Sequence, residues 1–189
     1  MAPAPDERTP DALDDGLVGE TLIGADELQA RIAELGKEIA ADYEGKDPLL
    51  VAVLKGAFIF MADLTRSIDI PVEVDFMAVS SYGASTRSSG VVRIVKDLDI
   101  DLAGRHVIIV EDIIDSGLTL RYLRKTLQAR GPASLDICAL FVREGNSQVE
   151  LDLRYVGFHI PPAFVIGYGL DVAERYRNLP DIRTYLGAE

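Results

Sequence analysis

From about Ala25 to Tyr43, apolar residues fall at Leu28, Ile32, Leu35 and Ile39. Steps of four, three and four line one face of a helix, and Gly45 and Pro48 end it. Leu49 to Leu54, LLVAVL, is a short continuous apolar run, the mark of a strand buried on both faces. Lys55 and Gly56 interrupt it, and AFIFMADLTRSI reads as a helix. Val72 to Ser80 reads as another strand. Ser81 to Gly90, SYGASTRSSG, is polar, glycine-bearing and aperiodic, a loop long enough to act as a lid. Val91 to Val95 resumes strand character. His106 to Val110 is an apolar strand that stops on two acids. A turn and a helix follow, with Leu120, Leu123 and Leu127 on the apolar side and Gly131-Pro132 as the stop. ASLDICALFV is a strand, and YVGF and FVIGYG are two more short apolar runs separated by Pro161-Pro162. Strands alternating with helices predict an α/β domain whose mostly parallel central sheet is flanked by helices on both faces.

No repeat or second domain is evident, so residues 21–189 are expected to form a single domain. Residues 1–20, rich in Pro, Ala and Asp at their start, are expected to be a disordered tail. Almost half the residues are hydrophobic, enough for a proper core, and the formal net charge is -12. That charge argues against a general nucleic-acid partner, which needs a basic face to neutralise phosphates. It leaves room for a small anionic ligand, because local cations or a metal reverse the field inside a cleft. The single cysteine, Cys138, lies in an apolar run and reads as a core side chain. No internal disulfide is possible, and nothing suggests an oxidising compartment. The N-terminus lacks the basic start and apolar core of a signal peptide. No apolar run approaches the roughly 20 residues of a membrane-spanning helix. A soluble, cytoplasmic protein without a membrane partner is expected.

The chemistry concentrates in HVIIVEDIIDSGLTL, His106 to Leu120. In an open parallel sheet, ligands bind beyond the carboxyl ends of the strands, and Glu111 and Asp112 sit at such an end. Ser116, Gly117 and Thr119 form a turn whose backbone N–H groups and following helix N-terminus suit a phosphate. The acids cannot meet that phosphate without repulsion. They need sugar hydroxyls, Mg²⁺ or a proton in transit, which together suggest a phosphorylated sugar. Asp115 taken alone reads better as a helix-start acid.

VIIVEDIIDSGLTL resembles the phosphoribosyl-pyrophosphate signature of type I phosphoribosyltransferases, and its Glu-Asp pair with a later Asp looks like the purine-salvage, hypoxanthine(-guanine) branch. The resemblance extends in order through LKGAFIFMADL, VDFMAVSSYG, YVGFHIPPAFVIGYGLD and ERYRNLPDI, from about Leu22 to Leu186. It implies that fold, with a small hood or lid. Glu111 and Asp112 would hold the ribose hydroxyls, directly or through Mg²⁺. Asp115 would face N7 of the purine as acid/base, and Ser116, Gly117, Leu118 and Thr119 would cradle the 5′-phosphate. Lys55 and Gly56, after a cis Leu54–Lys55 bond, would form the pyrophosphate loop, joined by Arg177. Ser81 and Tyr82 would belong to the lid. Phe164 would stack on the base, Val165 would meet its edge through the backbone, and Asp171 would bind a second Mg²⁺.

One departure stands out. Arg143 occupies the position where the family usually has a lysine that hydrogen-bonds the purine 6-oxo group. Arginine keeps the charge but brings a planar fork. The implied reaction joins a 6-oxopurine to phosphoribosyl pyrophosphate, giving the nucleoside monophosphate and pyrophosphate. Hypoxanthine is the expected base, with guanine and xanthine left open by Arg143. The implied assembly is a homodimer or homotetramer. The competing reading is an RNA-binding regulator on the same fold, against which the net charge of -12 speaks.

Overall fold

In the computed structural model, residues 15–81, 92–146 and 148–187 are described. A six-stranded sheet runs in the order β4-β3-β2-β5-β6-β7. Its strands are β2 (Leu49–Leu54), β3 (Glu73–Ser81), β4 (Val92–Lys96), β5 (His106–Ile114), β6 (Ser134–Arg143) and β7 (Tyr155–Ile160). All neighbours are parallel except β3 and β4. The helices are α1 (Ala25–Asp42), α2 (Phe58–Ser67) and α3 (Leu118–Gln128).

Strand alternation explains why β2 reads as an unbroken apolar run. Leu50 and Ala52 enter one core with Ile32, Leu35 and Ile39 of α1 and Phe60 and Leu64 of α2. Leu49, Val51 and Val53 enter the other, with Leu120, Leu123 and Leu127 of α3. The sheet is therefore sealed on both faces, as the alternation of elements predicts, and Cys138 is a buried core residue.

A second, three-stranded antiparallel sheet orders β1 (Val18–Ile23), β9 (Ile182–Tyr185) and β8 (Val165–Ile166). Two sequence expectations change here. The tail boundary at residue 20 falls inside β1, because Val18 pairs with Tyr185, a partner invisible to local pattern. Ser81, placed in the lid loop, ends β3 opposite Val92. Residues 82–91, which include Tyr82 and the rest of that loop, lie outside the described residues. Among the described residues no helix is long and apolar enough to cross a membrane.

Asp75 shows how β3 is tied to the segment after β4. Its buried carboxylate accepts from the backbone N–H groups of Phe76 at 2.7 Å, Asp99 at 2.8 Å and Ile100 at 3.3 Å, with Lys96 3.6 Å away. Burial pushes its pKa up, but these donors outweigh burial and leave it below the ordinary 3.8. A depressed folded value means stabilisation that is present above that ordinary value and is lost as pH falls through the folded one. Asp75→Asn turns an amide NH₂ on the same N–H groups, so it should destabilise by about 1–3 kcal/mol near neutrality. Urea unfolding at pH 7 and pH 3 should show the deficit shrinking at the lower pH. An equal deficit at both would detach the effect from the carboxylate's charge.

Candidate active site

The site begins where β5 loses one neighbour. The β2 ladder ends at Ala52 opposite Val110, while the β6 ladder continues to Ile114 opposite Val142. Glu111 and Asp112 are thus inside the strand rather than past its end, a correction to the strand limit at Val110. They emerge where β2 turns away into the Lys55–Gly56 loop, and the Leu54–Lys55 peptide is cis, as the resemblance implies. Alternation sends the two acids to opposite sides of the strand. Glu111 lines a cavity of about 220 Å³ with Val53, Asp115, Ser116, Gly117 and Thr119. Asp112 lies against the loop from β2. A Cβ at Gly56 would stand 1.6 Å from its Oδ2.

Burial, with the neighbouring Asp112 charge second, holds Glu111 well above the usual carboxylate range. Burial raises Asp112 as well, opposed by the N–H of Ile113, 2.8 Å from Oδ1, and by Arg177. Each is an oxygen-donor carboxylate whose charged form the protein disfavours, which suits a hard cation at either one. Mg²⁺ ordinarily takes one or two carboxylates and completes its shell with water and substrate oxygens. Among the described residues no three His, Cys, Asp or Glu side chains converge as a metal cage.

The turn into α3 has the features of an anion cradle. Gly117, the residue before α3, is left-handed at φ 76° and offers no side-chain cap, and Ser116 Oγ reaches only the Leu118 N–H, at 3.5 Å. A Cβ there would stand 2.7 Å from Val149 Cγ2, so the close approach and the conformation both require glycine. Ser116, Gly117 and the first-turn residues Thr119 and Leu120 border the cavity, and the first turn of α3 carries no acid of its own, while Glu111 and Asp115 line the cavity beside it.

Asp115 is held by a contact the sequence did not foreshadow. Asn146, in the loop after β6, donates to its Oδ1 at 2.6 Å. Arg143 Nε stands 3.8 Å from the same oxygen. That Nε is buried and without a hydrogen-bond partner. Arg143 ends β6 opposite Ile160 of β7, and the chain reaches Phe164 four residues later.

Phe164 is half-buried and meets the Tyr185 ring at 5.6 Å. It packs beside Ile166, Tyr176 and Leu179. Phe164 O accepts from Tyr185 N–H at 2.9 Å, so the next antiparallel pair, Val165 with Thr184, is of the type whose backbone groups face away from the partner. Because β8 is an edge strand, the N–H and C=O of Val165 point out of the sheet.

The third group gathers behind the Lys55 loop. Arg177 donates to Gly169 O at 2.6 Å and pairs with Asp171 at 2.8 Å, while its Nε is buried and unpartnered. Gly169, at φ 99°, sits against Gly56, where a Cβ would meet Gly56 O at 2.2 Å. Glu174 pairs with Lys55 at 2.9 Å and with Arg177 at 3.4 Å. The Lys55 ammonium holds the Glu174 carboxyl below its ordinary value. Asp171 is engaged on both oxygens, by Arg177 and by the Glu174 N–H at 2.8 Å. Glu174, Asn146 and Gly169 were not singled out from sequence: Asn146 lies outside the quoted motifs, Glu174 opens ERYRNLPDI without a role assigned to it, and the role of Gly169 exists only through Gly56.

Comparison with known proteins accords with this geometry. Residues 24–173 match the phosphoribosyl transferase domain. The chain is 54% identical over 175 residues to the hypoxanthine-guanine phosphoribosyltransferase of Mycobacterium avium, spanning 89% of this chain and 86% of the relative. It is 50% identical over 165 residues to that of Bacillus subtilis (strain 168), spanning 87% and 92%. A crystal structure of the hypoxanthine-guanine phosphoribosyltransferase from Bacillus anthracis superposes with a TM-score of 0.85 at 46% identity, over 88% of this chain and 98% of that one. The chain belongs to the phosphoribosyl transferase family. Within it, these relatives place the chain in the hypoxanthine-guanine branch.

Proposed function

We propose that this protein joins a 6-oxopurine, hypoxanthine foremost, to phosphoribosyl pyrophosphate, releasing the purine nucleoside monophosphate and pyrophosphate. One observation beyond the family supports the reading most. Among the described residues, two buried side-chain polar atoms lack a hydrogen-bond partner, Arg143 Nε and Arg177 Nε. A buried donor left unmade costs about 1–3 kcal/mol, so each is a site awaiting an acceptor. The two arginines stand at the places assigned to opposite ends of the reacting pair. Arg143 meets the 6-oxo oxygen of the base, and Arg177 meets the pyrophosphate.

The remaining residues take roles that their geometry allows. The start of α3, with Ser116, Gly117, Leu118 and Thr119, binds the 5′-phosphate. Glu111 and Asp112 hold the ribose hydroxyls and would bind Mg²⁺, which would neutralise pyrophosphate charge; Asp171 would bind a second Mg²⁺. Phe164 carries the base and Val165 meets its edge. As the C1′–N9 bond forms, the C1′–oxygen bond to pyrophosphate breaks. Lys55, the Gly56 N–H and Arg177 stabilise the charge that the leaving group gains. Asp115, its Oδ1 fixed by Asn146, accepts the N7 proton from the base. Ser81 and Tyr82 are assigned to the cover over this centre.

The test is pyrophosphate release with phosphoribosyl pyrophosphate, Mg²⁺ and each of hypoxanthine, guanine, xanthine, adenine and uracil. Turnover is expected with 6-oxopurines and not with adenine, since Arg143 offers a donor where adenine also presents one. No turnover with any 6-oxopurine by a protein that still binds the activated sugar would sink the reading. Arg143→Met should lower kcat/KM for hypoxanthine by about 10–150-fold, the worth of a hydrogen bond from a charged donor. Steady-state kinetics with unchanged hypoxanthine specificity would remove Arg143 from base recognition.

A further inference from the structure

The pyrophosphate cations already have an anion between them. Glu174 places Oε2 2.9 Å from Lys55 Nζ and Oε1 3.4 Å from Arg177 Nη2, one oxygen on each cation. The turn that carries it is fixed. Val172 and Arg175 bond to each other in both directions, at 3.2 and 3.0 Å, and the Glu174 N–H is tied to Asp171. Ala173 and Glu174 are both left-handed, at φ 49° and 66°, so the carboxylate is aimed by a defined turn. Asp171 alone already neutralises Arg177. Glu174 is therefore surplus to pairing that arginine, and its distinct contribution is the link to Lys55.

We infer that Glu174 is a built-in stand-in for pyrophosphate, bridging Lys55 and Arg177 in the free enzyme and displaced when the substrate's pyrophosphate arrives. The inference rests on the assignment of those two cations to pyrophosphate. Its consequence is competition. Each ligand carrying pyrophosphate must first part the bridge, which lowers affinity for phosphoribosyl pyrophosphate and for the pyrophosphate product alike. The Lys55 and Glu174 side chains are largely exposed, so the bridge is weak and tunes the site rather than closing it.

The experiment is calorimetric titration of the full chain with pyrophosphate and Mg²⁺, together with the KM for phosphoribosyl pyrophosphate, in wild type, Glu174→Gln and Glu174→Asp. Exposed ion pairs of this kind correspond to about two- to fivefold in an equilibrium constant. Glu174→Gln should tighten pyrophosphate by that factor and lower the KM in parallel, with the change falling on KM rather than kcat. Glu174→Asp keeps the charge but is one methylene too short to reach both cations, so it should tighten binding too. Unchanged or weaker binding in Glu174→Gln overturns the inference, as does tightening by Gln alone, which would leave charge without bridging. Wild type that fails to bind pyrophosphate at all would instead remove the Lys55 and Arg177 assignment on which the inference stands.

Discussion

Asp115→Asn should lower kcat by about 10²–10⁴-fold, the usual worth of a positioned general base, and leave the protein folded. The side chain is exposed, and its contacts are the Asn146 amide and the long approach of Arg143. Asparagine can present the same Oδ1 to Asn146, so position is kept while the proton acceptor is lost. Thermal unfolding should shift within the range of ordinary surface substitutions, about 0.5 kcal/mol. The decisive pair of measurements is kcat at saturating hypoxanthine and phosphoribosyl pyrophosphate, and the unfolding midpoint. A variant with near-wild-type kcat would take the N7 proton away from Asp115. A variant that unfolds would show the residue to be structural.

Gly56→Ala should cost both stability and activity. Its new methyl would stand 1.6 Å from Asp112 Oδ2, far inside contact distance. The neighbouring backbone offers no room either, because Gly169 is packed against Gly56 O. Either Asp112 rotates away or the Lys55 loop shifts, and both disturb the pyrophosphate site. Overpacking of this kind costs about 1–3 kcal/mol, and a displacement of about 1 Å in a substrate-positioning group costs about 10²-fold in rate. A double variant separates the two effects. Adding Asp112→Ala removes the clashing carboxylate, so stability should recover while activity stays low. Failure of the double variant to regain stability would place the strain in the backbone instead.

Much of this was readable before any coordinates, for identifiable reasons. Leu49–Leu54 reads as a buried strand because both of its faces are apolar, and it is one over those same residues. Leu28, Ile32, Leu35 and Ile39, the stripe expected of α1, are all fully buried. What escaped depends on partners distant in the chain. β1 and β9 are short, mixed in polarity and exist by pairing with each other. β5 outruns its apolar stretch because β6 continues to offer a ladder beyond Val110. In the site, the acid-bearing strand end and the glycine turn were legible because their residue types are unusual at the end of an apolar strand. The grip of Asn146 on Asp115 and the Glu174 bridge were not, since an asparagine in a loop and a glutamate among arginines are ordinary until geometry brings them to a reacting group.

The unpartnered Nε atoms of Arg143 and Arg177 bear finally on selection and design. In the free protein each is a local fault: a buried donor with no hydrogen-bond acceptor. Apolar replacement would remove that fault, but at Arg177 it would strand Gly169 O and the Asp171 carboxylate that its other nitrogens satisfy. Nothing within the unliganded protein calls for the two Nε donors themselves. Their presence marks where natural selection has favoured binding over rigidity, and a redesign for heat tolerance should hold these two positions fixed and seek its gains elsewhere.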